Sequence, residues 1–171
     1  MLSFDLRQLD TKAAQVSGAL AADDPIWLDG DLKPAGPVQV TGRLSAAGSG
    51  RFYFSGHIEG DTEGNCRRCL QDTKQHVSEE SHFFFAEADD EEADDPDIFR
   101  LDSRAAKLDL RPAVREQWLL AAPAYSLCRE DCRGLCPSCG TNLNETTCEC
   151  ASRIDPRWDA LRTARADSPM T

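Results

Sequence analysis

Six cysteines fall within the twenty-three residues "CREDCRGLCPSCGTNLNETTCEC", Cys128 to Cys150, and two more, Cys66 and Cys69, stand well upstream. Nothing else in the chain constrains the fold as strongly, because any use of eight thiols dictates which segments must meet. They form four close pairs: Cys66-x2-Cys69, Cys128-x3-Cys132, Cys136-x2-Cys139 and Cys148-x-Cys150. A structural zinc ion takes four thiolates in a tetrahedron, usually delivered as two such pairs. In "CPSCG", Pro137 fixes one dihedral and Gly140 permits a left-handed residue after the second sulfur, which is the turn a zinc knuckle needs. Rubredoxin-type iron sites use the same turn, so iron is the alternative metal.

The competing use is a disulfide framework. It is disfavoured because "MLSFDLRQLDTKAAQ" has no basic region followed by an apolar run. The longest apolar stretch, Trp118 to Ala122, is far too short to cross a bilayer. A cytoplasmic location is expected, and disulfides rarely persist there. A third use is redox chemistry at a free Cys66-x2-Cys69, where Arg67 and Arg68 would lower a thiol pKa, but no βαβ pattern surrounds the motif.

Four pairs imply two metal sites and leave the pairing to be decided. Cys136/Cys139 and Cys148/Cys150 are joined by the short polar loop "GTNLNETT", which closes at low entropic cost. That leaves Cys66/Cys69 with Cys128/Cys132 as a long-range site. In the rival pairing, Cys128, Cys132, Cys136 and Cys139 share a single ion and Cys66/Cys69 stay free. The expected content is two Zn²⁺, or one under the rival.

The chain around Cys66 reads as a hairpin. Phe52, Phe54, Gly56 and Ile58 alternate with polar neighbours, a period of two that marks a strand with one apolar face. Val77, Phe83 and Phe85 share one parity in "KQHVSEESHFFFAE", a second strand expected to be bulged or bent, with "EGNCRRCLQD" as the turn. Val38, Val40 and Leu44 mark a third strand, joined to the next through Gly-rich "SAAGSG". "MLSFDLRQL" is a candidate edge strand.

Glu87 to Asp97 holds eight acidic residues and no basic one, a composition that cannot bury a core. It is expected to be a solvated, disordered loop, and Glu91 and Glu92 are candidate contacts for a basic partner. A helix over about 109–122 follows, with Asp109 as its cap, Pro112 in its first turn, and Val114, Trp118, Leu119 and Ala122 on one face. Trp118 is expected in the core. Arg100, Arg104, Lys107, Arg111 and Arg115 lie beside the acidic loop and are expected to neutralise it. "DPRWDALRTAR" reads as a short amphipathic helix.

The fold class is therefore α+β. A mainly antiparallel β domain, barrel-like or a curved sheet, spans 1–127 with one main helix, and a zinc-knuckle module spans 128–171.

"CRRCL" on a hairpin, then "LDLRPAVREQWLLAAPAYSLC", "CREDCRGLCPSCGTNLNETTCEC" and "DPRWDALR", resemble the YceD-like family. Its name denotes large ribosomal RNA subunit accumulation. The resemblance runs from the strand before Cys66 to Leu161. It implies a bacterial or organellar cytosolic protein needed for 23S rRNA processing or accumulation, typically encoded beside a large-subunit ribosomal protein. It implies a process and no reaction. Family members differ in how many C-terminal cysteines they keep, so the metal assignment rests on spacing.

Charge argues against simple RNA binding. The formal net charge is −11, and two four-thiolate zinc sites would carry it to about −15, whereas phosphate neutralisation needs a basic surface. Local contact is still open to Arg67, Arg68, Arg129 and Arg133 around the cysteines, and to Arg153, Arg157, Arg162 and Arg165 in the tail. The leading reading is a non-catalytic ribosome-assembly factor whose partners are a ribosomal protein or large-subunit intermediate and the 23S rRNA precursor. A transcriptional zinc ribbon or a thiol redox-responsive adaptor are the alternatives. His57, His76 and His82 form no HExxH or other hydrolytic zinc pattern. Four-thiolate sites leave no open position for water, and no P-loop, G-x-S-x-G or Rossmann fingerprint appears. No catalytic residue, small-molecule substrate or membrane contact is expected.

Overall fold

The computed structural model describes residues 2–48, 50–88, 90, 95–102, 104–150 and 156–158. Its elements are β1 (Ser3–Asp5), α1 (Leu6–Leu9), β2 (Ala14–Leu20), β3 (Val38–Gly48), β4 (Arg51–Asn65), β5 (Asp72–Glu87), β6 (Ile98–Leu101), β7 (Lys107–Asp109) and α2 (Arg111–Ala121), with a 3-10 turn at Pro156–Trp158. The strands β2-β3-β4-β5-β6 form one sheet, antiparallel except for the parallel β5–β6 pair, and β1 pairs with β7 in a separate ribbon. Among the described residues β2 and β6 are the two edges. The sheet is therefore open, which replaces the barrel-like expectation.

The period-two reading of the central strands matches their burial. Val38, Val40, Leu44, Phe52, Phe54, Ile58, Val77, Phe83 and Phe85 are all buried in one core cluster. Each large side chain buried this way contributes about 1.5–3 kcal/mol. In the middle of the sheet Gly42 faces Gly56. A Cβ on either would strike the ring of Phe54, which itself stacks on Phe83 at 5.2 Å between centroids. Here glycine serves to admit an aromatic ring over the backbone.

The β4–β5 hairpin pairs without interruption from Arg51↔Ala86 to Asn65↔Asp72. The expected bulge in β5 is absent, and the irregularity lies instead between Ala46 and Gly48 of β3. The N-terminal strand joins β7 and not the main sheet. It brings Leu2 and Leu6 into the core with Leu108 and Leu110.

Helix α2 starts later than expected. Leu110 is its N-cap residue, with no side-chain cap. Asp109 instead accepts from the Arg111 amide at 3.0 Å and from its guanidinium at 2.7 Å. Trp118 is fully buried, donates to the Leu32 carbonyl at 2.8 Å, and lies against Gly60 of β4. Of the basic stretch, Arg100 donates to the Ala88 carbonyl of the acidic loop at 2.9 Å, whereas Arg111 and Arg115 turn to other carboxylates. Arg115 pairs with Asp31 through two 2.7 Å bonds, and Arg111 reaches Asp24 at 3.4 Å. Both partners sit in the β2–β3 connection, which is thereby strapped across the helix. Within the acidic loop, Asp90 pairs with Arg51 at 2.7 Å, while Glu91 and Glu92 lie outside the described residues. So do the tail's Arg153 and most of the expected C-terminal helix, including Arg162 and Arg165. Among the described residues no helix is long and apolar enough to cross a membrane.

Candidate metal centre

The hairpin tip carries the first thiol pair. Between β4 and β5 the chain makes a tight turn in which the Cys66 amide donates to the Gln71 carbonyl and the Leu70 amide to the Cys66 carbonyl, both at 2.8 Å. Leu70 takes φ 60° to complete it. The Cys136–Cys139 turn repeats the pattern: Cys136 N–H to Thr141 O at 2.8 Å, Gly140 N–H to Cys136 O at 2.9 Å, and Gly140 at φ 75°. Gly140 has the left-handed conformation expected for a knuckle.

The eight sulfurs gather into two groups, Cys66/Cys69/Cys128/Cys132 and Cys136/Cys139/Cys148/Cys150, each with all sulfurs within 4.8 Å of one another. The cysteines thus assemble in the long-range-plus-local arrangement, and the rival grouping of Cys128, Cys132, Cys136 and Cys139 does not form. With a Zn–S bond of about 2.3 Å, a regular tetrahedron has an S···S edge of about 3.8 Å. Cys66 and Cys132 stand 3.8 Å apart, and Cys69 and Cys128 3.6 Å. The donor set therefore fits a four-sulfur metal ion, the thiols standing in for thiolates. Cys66, Cys69 and Cys132 are buried; Cys139 and Cys150 are exposed.

Ionisation within each group is uneven. Cys66 is held down to about 6, first by the Cys128 backbone amide, with burial opposing. Cys128 is pushed up to about 12 by burial and then by the neighbouring thiols. In the local group the Thr141 hydroxyl leads in holding Cys139 down to about 6, while Cys150 is pushed up to about 12, first by Cys139 and then by burial. Four thiolates repel one another in a shared site, and a dication removes that repulsion.

The segment after α2 is clamped onto the hairpin tip. Arg67 donates its amide to the Ser126 carbonyl at 2.9 Å and lays its guanidinium 5.8 Å from the centre of the Tyr125 ring. Arg68 donates from Nη1 to the carbonyls of Glu130 (3.0 Å) and Cys132 (2.9 Å), and its own carbonyl accepts from Leu135 N–H at 3.0 Å. Gly134, at φ 74°, leaves room for that contact, since a Cβ there would lie 2.9 Å from the Arg68 oxygen. Arg129 pairs with Asp131 and donates to Asn144, and Arg133 is exposed and donates its amide to Asn144. The four candidate arginines thus converge at one end of the molecule.

The histidines are arranged differently. His57 bonds Ser78, His76 bonds Asp61 and His82 bonds Tyr53, all across the β4–β5 ladder. Asn144, Glu145 and Gln71 carry contacts between the two cysteine groups. Spacing could not reveal them, although "NLN" beside the cysteines is the kind of turn sequence in which Asn side chains bond the backbone.

The model of the family described as "Large ribosomal RNA subunit accumulation protein YceD" matches residues 54–163. An "uncharacterized protein" of Mycobacterium tuberculosis and another of Mycobacterium bovis are each 32% identical over 145 residues, covering 83% of this chain and 64% of their own length. A third, from Mycobacterium leprae, is 29% identical over 139 residues, covering 79% of this chain and 63% of its own. The chain thus spans somewhat less than two thirds of these relatives. No solved structure matches.

Proposed function

The chain belongs to the YceD family of large ribosomal RNA subunit accumulation proteins, and from that premise we propose that it is a non-catalytic, zinc-binding factor of cytoplasmic ribosome biogenesis. It supports 23S rRNA processing or accumulation and large-subunit assembly. The observation that carries the metal part is the pair of four-sulfur groups, each with its sulfurs within 4.8 Å of one another, and the spacing near a tetrahedral edge of two sulfur pairs in the first. All eight cysteines would hold zinc, one ion per group. The ion in the first group would staple the hairpin tip to the segment after α2. With four protein sulfurs per ion no position is left for water, so the metals serve structure and not hydrolysis.

The contact surfaces are divided. Arg67, Arg129 and Arg133 would meet RNA at the zinc end, while Arg68 is committed to internal carbonyls. The acidic segment, with Glu91 and Glu92, would hold a basic ribosomal protein. Depletion followed by ribosome sedimentation is the deciding experiment. Loss of large subunits and accumulation of 23S precursor are expected, and unchanged profiles would refute the role. Affinity capture with and without ribonuclease separates protein from RNA contact. Glu91→Gln/Glu92→Gln should weaken salt-sensitive capture of ribosomal protein.

A further inference from the structure

We infer that the two metal sites are coupled, and that Asn144 is the residue that couples them. The inference rests on the metal reading above and extends it to the order and strength of loading. Asn144 lies in the loop between Cys139 and Cys148, so its position follows from closure of the local site. Its Nδ2 donates to Cys132 Sγ, a ligand atom of the other site, at 3.3 Å, and to Asn142 Oδ1 at 2.8 Å. Its Oδ1 accepts from the Arg133 amide at 2.7 Å and from Arg129 Nη2 at 2.9 Å.

Two donors and two lone pairs are all satisfied. Turning the amide over would set its NH2 group against two donors, so the network itself determines that the N–H points at sulfur.

The loop is also braced from outside. Leu143 N–H bonds the Gly134 carbonyl at 2.9 Å, and Glu145 accepts from both Asn142 (2.8 Å) and Gln71 (2.7 Å), the latter beside Cys69. Closing the local site therefore places an N–H against a thiolate of the long-range site. Outer-shell donors of this kind orient a ligand and change metal affinity by roughly 10- to 100-fold. Coupling of binding is reciprocal, so filling the long-range site strengthens the local one by the same factor.

The test uses the full chain titrated with Zn²⁺ against a chelator, and with Co²⁺ as a spectroscopic probe. Asn144→Asp keeps the acceptors for Arg129 and Arg133 but removes the donor to Cys132. One of the two ions should weaken roughly 10- to 100-fold, with a shifted sulfur-to-cobalt band, and the melt of the zinc-saturated protein should fall only as far as that loss of affinity requires. Cys148→Ser/Cys150→Ser retains only the long-range site, which should weaken by a similar factor. Adding Asn144→Asp to that background should cost nothing more. Wild-type affinity for both ions in Asn144→Asp would overturn the inference, as would an equal loss in both backgrounds. If Asn144→Asp fails to fold, the cysteine double variant decides alone, and an unweakened long-range site refutes coupling. A wild-type chain that binds neither metal sinks the metal reading itself, a result visible before any variant is made.

Discussion

Two turns in this protein have the same backbone and different consequences. Cys66–Leu70 and Cys136–Gly140 share the same two hydrogen bonds and end on a left-handed residue. Yet the first collects its other two sulfurs from beyond α2, and the second from a few residues on. The loop closed by the first is about seven times longer, which costs only roughly 2 kcal/mol more in chain entropy. Entropy is therefore not what separates them. The content of the loop is: β5, β6, β7 and α2 all lie between Cys69 and Cys128. A local motif becomes a staple for the domain or a clip for a module according to what lies between its halves.

The largest expected effect breaks the long-range site. Structural zinc can contribute about 10 kcal/mol or more, comparable to the whole stability of a domain. Cys66→Ser should lose one zinc by elemental analysis and lose or severely lower the cooperative melt of the β domain. Full metal content with an unshifted melt would show that the staple does not exist.

Cys148→Ser probes the other side of the contrast. One zinc should be lost and proteolysis within residues 133–150 should accelerate, while the sheet keeps a cooperative melt, lowered only as far as the weakened long-range site requires. A collapse equal to that of Cys66→Ser would erase the distinction between staple and clip.

Gly134→Ala tests the seam between the two. A Cβ would press on the Arg68 carbonyl in a left-handed backbone, a strain of about 1–3 kcal/mol. The thermal melt should fall accordingly with both zinc ions retained, and an unchanged melt would mean the seam yields freely.

The smallest effect compares the turns themselves. Leu70 stands 63% exposed at φ 60°, where the twin turn uses glycine. Left-handed leucine costs about 1–2 kcal/mol, partly offset by the chain entropy glycine loses on folding, about 0.5–1 kcal/mol. Leu70→Gly should thus be neutral to slightly stabilising and Gly140→Leu destabilising by about 1 kcal/mol in thermal melts. Equal signs for the two would show that the turns are not equivalent.

The readings that the structure matches are those whose cause is local. The two knuckles follow from cysteines two residues apart with a turn between them. The faces of β3, β4 and β5 follow from alternation, because side chains in a strand change sides at every residue. The burial of Trp118 follows from helical spacing. Strand β2, with Val16 and Leu20 buried, alternates in the same way and was there to be read. Strands β6 and β7 are too short to show a period.

What no local pattern contains is which distant groups meet. Asp31 and Arg115 carry no mark of each other, nor do Asp90 and Arg51, and their pairing depended on where the β2–β3 connection crosses α2 and where β5 ends. The sequence by itself determined that the chain holds four thiol pairs, two of them in knuckle turns, and a two-faced sheet, because spacing and alternation act over a few residues. The tertiary structure decided that the sheet stays open, which of the two cysteine pairings forms, and that one asparagine reaches from the local group to a sulfur of the other. The first two join segments far apart in the chain, which only the packed sheet and helix bring together, and the third spans twelve residues and depends on how the loop between Cys139 and Cys148 folds back.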